Sequence, residues 1–177
     1  AKIEGAGTSQ IRIEGIDVFL DTFHQVITDR IEACTFIIAA AITHSSLCIK
    51  RINYDHIAKF LEIMEEMGLE FKLINKAIFI EKSRKLSSIS VKTQEYPGFP
   101  TDLQAQLMTL ACVSDGKSYI EESIFENRFM HVAELQRLGA KINIKNNTAI
   151  IEGNTKFIGA ELMSSDLRAS VALVLAA

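Results

Sequence analysis

The sequence of this chain contains an internal repeat. Three segments open with a hydroxyl residue and an aspartate and then run apolar: TDRIEACTFIIAAAI from Thr28, TDLQAQLMTLAC from Thr101 and SDLRASVALVLAA from Ser165. Such an opening is typical of a helix start, because Ser, Thr or Asp accepts a hydrogen bond from the first turn and a carboxylate suits its positive end. Since the runs are apolar on most sides, we predict three buried helices with module boundaries near 28, 101 and 165.

A second kind of helix is predicted after each of the first two. In YDHIAKFLEIMEEMG and FMHVAELQRLG the apolar residues recur at the spacing of an amphipathic helix, and both segments end at a glycine, Gly68 and Gly139. The predicted apolar positions are Ile57, Phe60, Leu61, Met64 and Met67 in the first segment, and Met130, Leu135 and Leu138 in the second.

The two copies keep the same register after these glycines. A polar turn follows seven residues later and an Ile-Glu pair at twelve and thirteen, which predicts two strands around a tight turn. SSLCIKRI and GKSYIEES supply a strand between the two helices of each copy, and SQIRIEG reads as the last strand of a further copy. The unit is therefore a βαβαββ module that recurs at roughly 65–75 residues, and the fold class is α/β (α+β).

The repeat also predicts whether the chain is part of a longer protein. Repeat modules cover their apolar faces with neighbouring modules. The third buried helix is predicted to begin at Ser165 in a chain of 177 residues. We therefore expect the chain to be one contiguous portion of a longer protein.

Composition and charge exclude several functional classes. The net charge is −3, with acids and bases mixed along the chain, which argues against a nucleic-acid groove built from bulk charge. The longest apolar run, residues 36–42, is too short to cross a membrane, and without a signal pattern a cytoplasmic location is the default. The histidines show no metal-ligand spacing, and no cofactor motif is present. Three cysteines in apolar surroundings are expected to be buried, reduced thiols: Cys34, Cys48 and Cys112.

The chain's only two prolines, Pro97 and Pro100, stand in one short loop, EYPGFPTDLQAQ. Proline fixes its own φ and restricts the preceding residue, so this loop loses little entropy when it is ordered. The first polar side chain after it that could do chemistry is Asp102. Helix capping is the simpler interpretation of Asp29, Asp102 and Asp166, but the stiff loop favours a site carboxylate at Asp102.

Two arginines are candidates for binding an anion. Arg168 follows Asp166 in a first helical turn, where a cation opposes the helix dipole, so it calls for a partner: Asp166 itself or an anionic ligand. Arg128 lies at the entry to an amphipathic helix in IFENRFMH. Arg128 either forms a surface salt bridge with Glu126 or Glu134, or binds an anionic ligand, since its guanidinium fork matches the oxygens of a carboxylate or phosphate.

At these residues the chain resembles a known family. YPGFPTDLQAQ, IFENRFMHVAELQRLGA, NNTAIIEG, SSDLRASVALVLA and DRIEACTFIIAAAI are similar to motifs of the bacterial UDP-N-acetylglucosamine enolpyruvyltransferases, also called UDP-N-acetylglucosamine 1-carboxyvinyltransferases. The resemblance covers nearly the whole chain. It implies an inside-out α/β barrel domain of βαβαββ modules, with residues 1–177 forming most of the domain of the family's C-terminal half and the other domain absent.

The resemblance also implies a reaction. The family transfers the enolpyruvyl group of phosphoenolpyruvate to the 3-hydroxyl of UDP-N-acetylglucosamine and releases phosphate, in the first committed step of peptidoglycan synthesis. The resemblance implies that Asp102 contacts the sugar hydroxyl and acts as its general base. Ile124 and Phe125 match the segment that packs against the nucleotide-sugar.

On the phosphoenolpyruvate side, Arg128 and Arg168 match arginines that hold the substrate carboxylate. Asp166 matches the acid beside the second of these, where it orients Arg168 or transfers a proton. Asp29 and Arg30 are interpreted as structural.

Some family features have no counterpart in this sequence. The reactive loop cysteine belongs to the other domain and none of the three cysteines matches it; a Lys-Asn pair and a final substrate arginine are also missing. We therefore expect the chain alone to bind weakly and not to turn over. The alternatives are a catalytically silent relative or assembly partner, and an enzyme similar to 5-enolpyruvylshikimate-3-phosphate synthase.

Overall fold

The computed structural model describes residues 1–6, 8, 10–164 and 166–177, apart from the side chain of Arg168. The helices are α1 Arg30–Ile42, α2 Ala58–Glu66, α3 Gln104–Val113, α4 His131–Arg137 and α5 Leu167–Ala176, with short 3-10 turns at Tyr54–His56 and Thr101–Leu103. The strands are β1 Lys2–Glu4, β2 Arg12–Glu14, β3 Leu47–Lys50, β4 Phe71–Ile74, β5 Ala77–Ile80, β6 Ser90–Lys92, β7 Lys117–Glu121, β8 Lys141–Lys145 and β9 Thr148–Glu152.

The strands form separate sheets that follow the repeat. A hairpin pairs β1 with β2, a three-stranded sheet has the order β3-β5-β4, and a four-stranded sheet has the order β6-β7-β9-β8. Strand β6 runs parallel to β7, while the other pairs are antiparallel. Residues 90–152 thus run β6, α3, β7, α4, β8, β9, which confirms the predicted βαβαββ module.

Helix α3 is the centre of the core. Its residues from Gln104 to Cys112 are buried on every side, as the apolar run from Thr101 predicts. It packs against α1, α5, β7 and β9. The other two repeat helices bury only part of their surface, because Phe36 on α1 and Val174 on α5 are exposed. The prediction of three buried helices therefore holds along nearly all of α3 and on one part of the surface of α1 and α5.

The predicted helix ends and hairpin turns are found in both copies of the repeat. Gly68 and Gly139 follow α2 and α4 with φ of +95° and +96°, the left-handed conformation that glycine adopts without a steric penalty. The hairpin turns contain Asn75 and Asn146, also at positive φ. Side chains that tolerate the left-handed region therefore occupy equivalent places in both hairpins.

Three sequence predictions are wrong in detail. Met130 is 61% exposed, and His131 and Val132 supply the buried start of α4 instead. Cys48 is exposed, because β3 alternates in burial and places this thiol on its outer side. Thr101 does not cap α3 as its Thr-Asp opening predicts: its hydroxyl donates to Glu122, and no side-chain cap bond is found at the described start of α3.

No helix in the described part of the chain is long and apolar enough to span a lipid bilayer.

Candidate functional site

The proline loop is folded against the core. Phe99 is 1% exposed, the Gly98 amide donates to the Glu95 carbonyl at 2.7 Å, and the Gln94 amide donates to the Phe99 carbonyl at 2.9 Å. The chain then enters the 3-10 turn at Thr101–Leu103 and continues directly into α3. A buried aromatic and a buried helix therefore hold Asp102 from both sides.

Asp102 meets Arg128 at this point. Arg128 Nη2 donates to Asp102 Oδ1 at 3.1 Å, and Arg128 Nη1 donates to Thr101 Oγ1 at 2.7 Å. The Arg128 side chain is 14% exposed and that of Asp102 is 33% exposed, so the pair lies at the edge of the core. The alternative of a surface pair between Arg128 and Glu126 or Glu134 is wrong.

The predicted nucleotide-sugar segment lies beside this pair. The Arg128 guanidinium carbon is 4.7 Å from the centroid of the Phe125 ring, within the range of a cation–π contact. Phe125 is 57% exposed and Ile124 is half-buried. The structure therefore brings four of the predicted site residues together, although Asp102 and Phe125 are far apart in sequence.

Asp166 immediately precedes α5, and α5 packs against α4. Burial lowers the pKa of His131 to about 4, with Asp166 opposing the shift and Arg128 adding to it, so both charges act on the same imidazole. The side chain of Arg168 lies outside the described part of the chain, so its predicted pairing with Asp166 stays a prediction.

Asp29 is a helix cap. Its carboxylate accepts from the amides of Ile31 at 2.8 Å and Glu32 at 3.1 Å, as the structural interpretation predicts. Burial raises the pKa of the Cys34 thiol; the charge of Arg30 opposes this shift and that of Asp29 adds to it. Burial also raises the pKa of the Cys112 thiol, to about 12. Neither thiol is therefore a ready nucleophile.

The sequence analysis missed Glu122, the buried carboxylate behind the site. It is 3% exposed and accepts hydrogen bonds from Thr93, Thr101 and two backbone amides. Its place follows from the burial of β7 in the structure, where Ser118 and Ile120 are buried and Lys117 and Tyr119 are exposed. Continuing that period of two puts Glu122, and not Glu121, on the inner face.

Chemically, the arrangement combines a carboxylate with a forked cation and an exposed aromatic ring. A guanidinium can hold a carboxylate or phosphate, a carboxylate can accept a proton, and an aromatic face can cover a ring or a sugar. Ile124 and Phe125 also line an open groove that reaches Asn146. The site is thus suited to an anionic substrate beside a hydroxyl-bearing one.

Comparison with known proteins places the chain in an enzyme family. The family model for EPSP synthase (3-phosphoshikimate 1-carboxyvinyltransferase) matches residues 1–177. Among solved structures, the enolpyruvyl transferase NikO from Streptomyces tendae superposes with a TM-score of 0.78 at 25% identity, over 85% of this chain and 36% of that one. This likeness confirms the predicted α/β fold class.

Curated relatives are more similar in sequence. A UDP-N-acetylglucosamine 1-carboxyvinyltransferase from Pelagibacter ubique is 52% identical over 167 residues, which is 94% of this chain and 40% of the relative. The protein of the same name from Geobacter metallireducens is 47% identical over 176 residues, 99% of this chain and 42% of the relative. The chain thus spans about two fifths of the length of these relatives.

Proposed function

The chain belongs to the EPSP synthase (3-phosphoshikimate 1-carboxyvinyltransferase) family, and we propose that it forms part of a UDP-N-acetylglucosamine 1-carboxyvinyltransferase. This enzyme transfers the enolpyruvyl group of phosphoenolpyruvate to the 3-hydroxyl of UDP-N-acetylglucosamine and releases phosphate. The observation that carries the proposal is the 52% identity to a relative of that name across 94% of the chain. The proposal implies a cytoplasmic role in peptidoglycan synthesis, and hence in cell shape and division.

In this proposal Asp102 is the general base for the sugar hydroxyl. Its place supports the role, because the Phe99 anchor and α3 fix the backbone while the carboxylate remains 33% exposed. A general base contributes about 10²–10⁴-fold to the rate. At 1.36 kcal/mol per tenfold, this corresponds to about 3–5 kcal/mol of barrier. Ile124 and Phe125 pack against the nucleotide-sugar in the groove beside it.

Arg128 and Arg168 hold the carboxylate of phosphoenolpyruvate, and Asp166 orients Arg168. The role of Arg128 is supported by its guanidinium group, which already donates to two oxygen acceptors, on Thr101 and Asp102. A fork of this kind can exchange one protein acceptor for a substrate oxygen without moving its backbone. The cavity between domains that would enclose both substrates requires the part of the relatives that this chain does not span. We propose that residues 1–177 form most of the family's C-terminal domain.

The test uses a chimera. The segment of the Pelagibacter ubique relative that matches this chain is replaced by residues 1–177, and phosphate release is measured with phosphoenolpyruvate and UDP-N-acetylglucosamine. We expect release from the chimera, none from the purified 177-residue chain, and a loss of about 10²–10⁴-fold in the Asp102→Asn chimera.

Two results would overturn the proposal. One is a chimera that unfolds cooperatively, and so is folded, yet releases no phosphate. The other is release that depends on shikimate 3-phosphate in place of the UDP-sugar. Turnover by the 177-residue chain alone would instead show that the rest of the relatives' length is dispensable for the reaction.

A further inference from the structure

We infer that Glu122 is a positioning residue for this site, holding Arg128 and Asp102 through Thr101 and shaping the Ile124–Phe125 turn directly. The inference rests on the proposed function for its catalytic consequence. Its structural part stands on hydrogen bonds within the chain. Among the described side chains, Glu122 reaches Arg128 and Asp102 only through Thr101, so its effect passes through these neighbours.

The Glu122 carboxylate is surrounded by donors. Oε1 accepts from Thr93 Oγ1 at 2.9 Å, from the Ile124 amide at 2.9 Å and from the Phe125 amide at 3.2 Å. Oε2 accepts from Thr101 Oγ1 at 2.7 Å. A buried carboxylate is costly unless it is hydrogen-bonded or paired, and four donors meet that requirement.

The link to Arg128 depends on one proton. A threonine hydroxyl has a single proton and two lone pairs. Thr101 gives this proton to Glu122 Oε2 and uses a lone pair to accept from Arg128 Nη1, each at 2.7 Å. Arg128 Nη2 then reaches Asp102 Oδ1 at 3.1 Å. Because Glu122 can only accept and Arg128 can only donate, this is the one arrangement of the Thr101 hydroxyl that satisfies both partners.

The second branch acts on the turn. Two consecutive amides, those of Ile124 and Phe125, point at one carboxylate oxygen, which fixes the backbone just after β7. Thr93 also stabilises this turn. Its hydroxyl donates to Glu122 and accepts from the Ser123 amide at 2.9 Å. Glu122 thus joins the ends of β6 and β7 to the start of α3.

The two branches predict separable kinetic effects. The Thr101 branch orients groups at the reacting centre, so its loss lowers kcat. The turn branch shapes the surface for the nucleotide-sugar, so its loss raises KM for that substrate. A misplacement of about 1 Å in such a site costs up to roughly 10²-fold.

The kinetic test compares Glu122→Gln, Thr101→Val and the double variant in the chimera. Glutamine keeps the shape but offers a donor where Thr101 needs an acceptor. We expect Glu122→Gln to lower kcat about 10–100-fold. Its neutral amide oxygen is also a weaker acceptor for the Ile124 and Phe125 amides, so KM for the UDP-sugar should rise. In the Thr101→Val background Glu122→Gln should still raise KM but change kcat by less than about 3-fold, since interacting sites are non-additive.

Glu62→Gln is the matched control. It removes an exposed carboxylate on α2 that is paired with Lys59 at 2.7 Å and does not line the groove of Ile124 and Phe125, so it should keep wild-type kinetics. A Glu122→Gln effect on kcat that is equally large in the Thr101→Val background would overturn the inference. If Glu122→Gln does not fold, Thr101→Val alone decides, because wild-type kcat in that variant would equally overturn it.

A second measurement does not depend on the reaction. In the 177-residue chain, the amide proton resonances of Ile124 and Phe125 are expected to move upfield in Glu122→Gln, because the neutral amide oxygen is a weaker acceptor than the carboxylate, and to stay in place in Glu62→Gln. Unchanged resonances in Glu122→Gln would overturn the structural part of the inference. Shifted resonances beside an inactive wild-type chimera would leave Glu122 as the organiser of the turn and reject the proposed function alone.

Discussion

Arg128 Nη2 lies 3.1 Å from Asp102 Oδ1, although 26 residues separate the two in the chain. The turn before α3 supplies the carboxylate, and the loop after β7 supplies the guanidinium. This pair joins the two segments that the sequence marks independently, the proline loop and the IFENRFMH stretch. The site is therefore a meeting of two loops across one module.

The fork of Arg128 should not be replaceable by a single ammonium group. Arg128→Lys keeps the charge but cannot bond Thr101 and Asp102 at once in the same planar geometry. We expect kcat/KM for phosphate release by the chimera to fall about 10–100-fold, since misplacing a site group costs up to roughly 10². Arg137→Lys, on the exposed side of α4, is the matched control. Equal activity of the two variants would contradict the prediction.

Acid should destabilise the chain through His131. Its pKa is lowered from 6.5 to about 4 in the folded chain, chiefly by burial. Between these values the unfolded chain binds a proton that the folded chain does not, so stability falls as pH falls from about 6.5 towards 4. The loss from this group is at most about 3 kcal/mol, at 1.36 kcal/mol per pKa unit.

The measurement is urea unfolding from pH 7 to 4.5 for wild type, His131→Gln and His24→Gln, the last removing an exposed imidazole. We expect His131→Gln to flatten the acid slope and His24→Gln to leave it unchanged. Parallel curves for wild type and His131→Gln would show that another group is responsible.

Gly153 should not tolerate a side chain. A Cβ at this position would lie 2.0 Å from the Ser114 carbonyl oxygen and 2.7 Å from that of Gly116, and both are backbone atoms that cannot move aside. We expect Gly153→Ala to destabilise the chain by about 1–3 kcal/mol, as overpacking does. Gly159→Ala is the control, since a Cβ there would meet no described residue within 4 Å beyond its own chain neighbours. Denaturant midpoints that coincide would refute this close approach.

The core should be most sensitive along α3. Leu107 is fully buried in the central helix, whereas Val174 on α5 is 76% exposed. Leu107→Ala is expected to cost about 2–5 kcal/mol through lost packing and a cavity, while Val174→Ala should stay within about 0.5 kcal/mol. Chemical denaturation of both variants measures the contrast. A loss at Leu107 no larger than at Val174 would mean that α3 is not the centre of the core.

Local signals predicted the repeat well. Hydrophobic periodicity, helix-ending glycines and hairpin turns depend on neighbours within a few residues, so both copies could be recognised from the sequence. Gly68 and Gly139 adopt the expected left-handed φ, and residues 90–152 form the expected module. The proline loop likewise marks Asp102 as a site candidate from the sequence alone, because proline stiffens the chain locally.

Other features were decided only by tertiary packing. Met130 and Cys48 fit apolar patterns yet are exposed, because periodicity alone does not show which face meets the core. The partner of Arg128 could not be chosen from sequence, since nearby glutamates and the distant Asp102 are chemically equivalent acceptors. The role inferred for Glu122 could be recognised only in the structure, where the ends of β6 and β7 lie beside the start of α3 and place its donors around the carboxylate. The residues themselves determined which groups were available, whereas the chain's path determined which donors and acceptors lie within hydrogen-bonding distance of one another.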